Sequence, residues 1–158
     1  MIATKDDAYL LTVEQWLPVR REDLFPFFAD ASNLERITPD TISFRVMTPA
    51  PIDMMAGARI DYRLRVHGVP VRWRSEITEW EPPHRFVDVQ LRGPYALWHH
   101  EHRFEERDGG TLCIDKVRYR VPGGPLAPLV HRFFVRNDVR RIFSYRQQQL
   151  EELFGRVG

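Results

Sequence analysis

The chain has 158 residues, with 23 Lys plus Arg against 22 Asp plus Glu and a formal net charge of +1. Hydrophobic residues make up 43% and charged residues 28%, the balance of one folded domain over residues 1–158 at roughly one domain per 150 residues. The single cysteine, Cys113, excludes a disulfide framework and a Cys-based zinc site, and no apolar run approaches the roughly 20 residues of a membrane-spanning helix. The near-neutral charge gives no overall pull toward DNA. The start, Met1 to Asp7, is acidic where a signal peptide would be basic, so the cytoplasm is the expected location.

In chain order, Ala8 to Pro18 reads as a first strand, with Leu11, Val13 and Gln15 alternating against Thr12, Glu14 and Trp16. Arg21 to Ala29 reads as a short helix bearing Leu24, Phe25, Phe27 and Phe28, limited by Pro26. Ser32-Asn33-Leu34-Glu35 has the form of a capping box and opens a second short helix that stops before Pro39. Six strands follow: about 42–47, 58–67, 69–80, 85–92, 95–106 and 111–121. The connections after Gly57 are short, so these strands form an antiparallel meander. From Leu126 to Phe154 the period becomes helical, and Leu129, Phe133, Phe134, Ile142, Tyr145, Leu150, Leu153 and Phe154 are read as one side. The fold expected is α+β: a curved antiparallel sheet of about seven strands wrapped around a long C-terminal helix, with two short helices after the first strand. Such an arrangement leaves room for a cavity between sheet and helix.

Turn chemistry sets the register. Asp108-Gly109 suits a two-residue type I′ turn. It pairs Arg107 with Gly110 and sets Phe104 opposite Cys113, His102 opposite Asp115, His100 opposite Val117 and Trp98 opposite Tyr119. Glu101 then meets Lys116 on the wet face, a favourable cross-strand pair. The His67-Gly68 turn sets Tyr62 opposite Trp73 and Leu64 opposite Val71. The same parity turns Phe86, Asp88 and Gln90 inward, whereas simple patterning would turn in the more apolar Val87, Val89 and Leu91, and a bulge at Gly93-Pro94 would reverse the parity. The concave face is then aromatic and aliphatic, interrupted by His100, His102, Asp115, Tyr119, Asp88 and Gln90. Such groups need hydrogen-bond partners when buried.

Several chemistries are open to these residues. His100 and His102 point the same way on a strand and are compatible with two metal ligands, with Asp115 a third; they equally make a satisfied His–Asp pair, and no metal or other cofactor is assigned. No Gly-x-Ser-x-Gly is present, and Cys113 reads as a buried filler. His100, His102, Asp115 and Tyr119 suit acid–base work, or the binding of a ligand's polar head. Arg132, Arg136 and Arg140, spaced four apart, form a basic stripe on the last helix. That stripe could meet an acidic lipid surface or RNA, or be a solvated face.

The chain resembles the START-like superfamily of helix-grip proteins, also called Bet v 1-like or SRPBCC. Within it, the chain resembles most the bacterial branch described as polyketide cyclase/dehydrase-like or coenzyme Q-binding-like. The resemblance covers nearly the whole chain. It rests on Pro18 to Phe25 through Asp30 and Asn33-Leu34 to Thr38-Pro39, and on Gly93-Pro94-Tyr95-x-x-Trp98-x-His100-x-His102-x-Phe104. Gly110-Thr111-x-x-x-Asp115-x-Val117-x-Tyr119-x-x-Pro122 and Ile142-Phe143-x-Tyr145-Arg146 complete it. One subgroup with these motifs also occurs fused to nucleotide-sugar-epimerase-like domains.

The resemblance implies a deep cavity for a hydrophobic molecule such as a lipid, quinone or polyketide. The reading preferred is therefore binding or transport of a small hydrophobic ligand with a polar head. Tyr62, Trp73, Trp98, Phe104, Phe133 and Phe134 would line the cavity. Asp88, Gln90, His100, His102, Asp115 and Tyr119 would meet its polar end. The first alternative is a cyclase or dehydratase in which His102, oriented by Asp115 and assisted by His100, moves a proton. The second is an interaction module using the Arg132, Arg136, Arg140 stripe. A homodimer is compatible with the sequence; DNA is not an expected partner.

Overall fold

The computed structural model describes residues 2–5 and 8–155; residues 1, 6 and 7, which enter the reading of the N-terminus, lie outside them. Among the described residues, eight antiparallel strands form one sheet: β1 (Ile2–Lys5), β2 (Ala8–Leu17), β3 (Arg45–Val46), β4 (Arg59–Val66), β5 (Val69–Glu81), β6 (Arg85–Arg92), β7 (Leu97–Arg107) and β8 (Gly110–Arg120). Their order across the sheet is β1-β2-β8-β7-β6-β5-β4-β3. The strand beyond the seven expected is β1, which adds to the edge of β2 with Ile2 opposite Leu11. No long apolar pattern announces it, because an edge strand of four residues gets its order from the ladder beside it. The strand expected at 42–47 is shorter than read, because Asp40–Ile42 is a 3₁₀ turn.

The turns fix the meander as their residues dictate. Asp108 (φ 50°) and Gly109 (φ 76°) both take the left-handed region, as do His67 (φ 49°) and Gly68 (φ 81°), and two successive positive φ values define a type I′ turn. The resulting pairs include Arg107 with Gly110, His102 with Asp115 and Trp98 with Tyr119 on β7–β8, and Tyr62 with Trp73 on β4–β5. A β-bulge between Ile77 and Glu79 lets Ile77 and Trp80 both contribute to the core. The parity of β6 follows from it: Phe86 is buried, Asp88 faces the same side, and Asp88 sits opposite Ile77.

Helix α1 (Arg21–Ala29) buries Leu24, Phe25 and Phe28 and tolerates the exposed Pro26 three residues before its end. A 3₁₀ segment, Ala31–Ile37, follows. The expected capping box does not form. Asp30 is the cap, accepting from the Ser32 amide at 3.0 Å and the Ser32 hydroxyl at 2.6 Å. Glu35 instead reaches away to accept from the Val46 amide at 2.8 Å, tying the short β3 to this segment.

The C-terminal helix is α2 (Ala127–Val130), a π-helical turn (His131–Val135) and α3 (Arg136–Phe154). Its buried face is Val139, Phe143, Arg146 and Leu150, a strict three-and-four spacing. An unbroken α-helix would carry that face back to about Arg132; the extra residue of the π turn places His131 there instead, where it is buried. Phe133 and Phe134 lie off the face and are 62% and 57% exposed, which corrects their assignment to the cavity.

Two clusters fill much of the space between sheet and helix. One joins Phe25 and Phe28 to Phe86, Phe104, Cys113 and Leu150. The other joins Leu11, Val117, Tyr119 and Val121 to Val139 and Phe143.

Candidate functional site

Between these clusters the concave face is open. A cavity of about 500 Å³ lies over β4–β7 and under α3, within the size range of small-molecule pockets. Tyr62, Trp73 and Trp98 stand on its sheet side, and Ile142 and Phe143 on its helix side. Its exposed lining residues, Thr41, His67, Gly68, Pro122 and Arg141, mark the rim. Across that rim His67 Nε2 meets Asp138 Oδ2 at 2.8 Å, linking the β4–β5 turn to α3.

The polar end of the cavity is built by three strands and one helix. Alternation on β7 turns His100 and His102 inward, and their rings stack at 3.6 Å. Asp88 comes from β6, Asp115 from β8 and Arg146 from α3. His102 Nε2 is 2.6 Å from Asp88 Oδ2, and His100 Nε2 is 2.8 Å from Asp115 Oδ1. Arg146 Nη2 donates to Asp115 Oδ1 and His102 Nδ1, both at 3.3 Å. The ring of Phe86 supports His102 at 4.1 Å, and the guanidinium of Arg146 lies over Phe28 and Phe143.

The expected pairing of His102 with Asp115 is replaced by a diagonal one. The two residues are directly opposite in register, yet Asp115 Oδ1 is 3.5 Å from His102 Nδ1. Sheet twist leans each imidazole toward a neighbour one step along. The hydrogen bonds assign the protons. A carboxylate only accepts, so His102 Nε2–H donates to Asp88 and His100 Nε2–H donates to Asp115. His102 Nδ1 accepts from Arg146, so His102 is the neutral tautomer. Its pKa falls to about 4, because burial and the neighbouring His100 outweigh the Asp88 contact. Burial alone would raise both carboxyls, but Arg146 and His100 hold Asp115 well below the usual range, and the His102 hydrogen bond lowers Asp88.

Other residues read as site members have structural employment. Gln90 brackets the turn before β7, donating to the Tyr95 carbonyl at 2.8 Å and accepting from its amide at 3.1 Å. Tyr119 is fully buried, its hydroxyl 2.7 Å from His131 Nε2. Phe104 belongs to the filled cluster with Phe25, Phe28 and Phe86. None of these three lines the cavity, and Asp115 stands behind His100 and Arg146 rather than on its surface. The sequence reading missed Arg146 as a site residue, although it closes the motif Ile142-Phe143-x-Tyr145-Arg146. The signal was its place between Phe143 and Leu150, on the face that the helix buries.

Asp88, His100 and His102 are a donor set for a metal, with one ligand atom from each within 4.8 Å of the others. Convergence on an ion would require the 2.6 Å His102–Asp88 contact to open. The stacked rings would also have to turn, beside the Arg146 cation. The arrangement as it stands is a hydrogen-bonded network.

Residues 17–143 match the sequence pattern described as polyketide cyclase/dehydrase and lipid transport. The chain belongs to that family. Its fold recurs in the structure of TTHA0849 from Thermus thermophilus, at 19% identity and a TM-score of 0.72 over 90% of this chain and 94% of that one. It recurs too in the Zhui aromatase/cyclase from Streptomyces sp. R1128, at 15% identity and a TM-score of 0.71 over 90% and 91%. A nucleoside-diphosphate sugar epimerase from Corynebacterium glutamicum is 27% identical with a TM-score of 0.66, where the match covers 90% of this chain and 28% of that one. No curated protein matches the chain in sequence. The family and fold support ligand binding in general. No helix among the described residues is long and apolar enough to cross a membrane.

Proposed function

We propose that this protein binds and carries a small hydrophobic molecule in the cavity between β4–β7 and α3. The polar end of the ligand rests against Asp88, His100 and His102. The observation that carries this reading is an open volume of about 500 Å³ with aromatic walls and one hydrogen-bonded polar end. A solid core would place no charged cluster beside empty space. The test is native mass spectrometry of gently purified protein, with extracted small molecules identified by chromatography, together with a thermal-shift screen of amphiphiles, quinones and aromatic compounds. A bound hydrophobe or a raised melting temperature is expected. The absence of both across the screen would remove the reading.

A catalytic version, cyclisation or dehydration of an unsaturated carbonyl compound, draws support from the same network but shifts the roles. Both nitrogens of His102 are engaged, so the proton acceptor would be Asp88 or His100, with His102 and Asp115 positioning them. Turnover by a His100→Ala variant equal to wild type would remove His100 from that role.

A second reading concerns the entry to the C-terminal helix. Leu126, Leu129, Phe133 and Phe134 are exposed there, beside Arg132, Arg136 and Arg140. Phe134 adjoins His67 on the rim. Apolar side chains flanked by arginines suit an anionic membrane better than RNA. Docking would set the rim against the lipid source. Vesicles containing phosphatidylserine should bind the protein in low salt, and a Phe133→Ser, Phe134→Ser variant should lose that binding. A dimer that buries these phenylalanines instead would appear as doubled mass in solution.

A further inference from the structure

We infer that the cavity selects ligands whose buried end is a neutral hydroxyl (an alcohol, phenol or enol) and discriminates against a carboxylate at that end. The inference rests on the ligand-binding reading above and names the chemistry of the ligand's head.

The hydrogen bonds inside the cluster leave a definite remainder. Asp88 Oδ2 accepts from His102, while Asp88 Oδ1 has no hydrogen bond among the described residues, and Asp88 lines the cavity. His100 spends Nε2–H on Asp115, and its Nδ1, 3.9 Å from Asp88 Oδ2, makes no hydrogen bond among the described residues. Tyr62 lines the same cavity with its hydroxyl unpartnered among the described residues. Burial and the Asp88 charge keep that phenol protonated. An incoming group thus meets a carboxylate oxygen that wants a donor and a phenol that can donate. A hydroxyl can donate to that oxygen; an ionised carboxyl can only accept.

Charge gives the same answer independently. The cluster holds two carboxylates, Asp88 and Asp115, against one guanidinium, Arg146. Arg146 is committed within it to Asp115 and His102. A third carboxylate brought to this end of the cavity faces Asp88 with Arg146 already engaged and Arg141 out on the exposed rim, and like charges at short range are disfavoured. A purely apolar end fails for a different reason: it would cover Asp88 Oδ1 and strip its solvation with nothing in return.

The test is a matched series, 2-naphthol, 2-naphthoic acid and 2-methylnaphthalene, each displacing the neutral probe Nile red from the intact protein at pH 7.5. Wild type is expected to bind 2-naphthol at least tenfold more tightly than either of the others. An Asp88→Asn variant, checked for native melting behaviour, should bring naphthol and naphthoate within about threefold of each other, since the amide supplies a donor and removes the charge; the wild-type series alone decides the matter if that variant does not fold. Naphthoate binding as well as naphthol in wild type overturns the inference. So does methylnaphthalene matching naphthol, which leaves the cavity reading intact. Failure of Nile red itself to bind overturns both.

Discussion

Two halves of one concave face are made from the same residue types and end in opposite states. At one end α1 inserts Phe25 and Phe28 against Phe86 and Phe104, with ring centroids 5.0–6.0 Å apart. At the other end Trp73 and Trp98 pack edge-to-face at 5.3 Å, Tyr62 packs on Phe44 at 4.9 Å, and the space between these rings and α3 stays open. Aromatic content therefore does not distinguish core from cavity. What distinguishes them is whether a neighbouring element has side chains to insert, and α1 is short enough to serve only one half. The charged cluster sits on the boundary, with His102 stacked on Phe86 and Arg146 over Phe28, so the filled half supports the polar end of the open one.

The sharpest way to break this contrast is truncation on each side. Phe104→Ala should cost about 3–5 kcal/mol in urea denaturation, as for other fully packed phenylalanines. Trp98→Ala should cost less than half as much despite its larger ring, because it borders empty space and forfeits fewer contacts. Equal losses would mean that the two halves are equally solid.

The boundary itself is tested by Arg146→Met. Removing the cation leaves Asp115 buried without its charge partner, an effect of about 3–5 kcal/mol. The deficit should shrink as pH falls, because the freed carboxyl then takes up a proton and sheds its charge. A deficit independent of pH would mean that the guanidinium acts through packing on Phe28 and Phe143 alone.

Acid should loosen the cluster before it touches ordinary carboxylates. His102 has a folded pKa of about 4 against 6.5 for the free group. Between those values the unfolded chain binds the extra proton, so stability is intact above pH 6.5 and declines as pH falls toward 4. The full decline is on the order of 3 kcal/mol. His131, also lowered by burial, adds in the same direction. Asp88 and Asp115, held low, begin to cost stability only below the ordinary carboxylate pKa of 3.8. Urea midpoints measured from pH 4 to 7 should show this slope in wild type and a flatter one in His102→Gln. An unchanged slope would place the titrating proton elsewhere.

The smallest effect is expected on the outer face of the helix. Phe133→Ser should change stability by no more than about 0.5 kcal/mol, since the ring is exposed and touches chiefly the Arg132 guanidinium. A larger loss would return Phe133 to the core.

Much of the fold was legible in the residues because local rules acted alone. Two-residue turns with positive φ at both positions, Asp108-Gly109 and His67-Gly68, fixed the register of four strands. Register then fixed which side of β7 carries His100 and His102. The same rules failed wherever a second element decided. Glu35 looked like a capping residue and bonds instead to β3. Phe133 and Phe134 read as cavity lining, and the π turn that seats His131 against Tyr119 leaves them outside. Asp115 faced His102 in register, yet twist gave His102 to Asp88.

By itself, then, the sequence determined the order of the strands after β1, the antiparallel meander and the inward side of β7 that carries His100 and His102, since each depends on neighbours along the chain or across one turn. The tertiary structure alone decided which imidazole meets which carboxylate, that Arg146 completes the network from a helix 31 residues further on, and which half of the concave face is filled. Those outcomes depend on distances between elements that no local pattern encodes, and on which side chains α1 and the C-terminal helix deliver into a shared space.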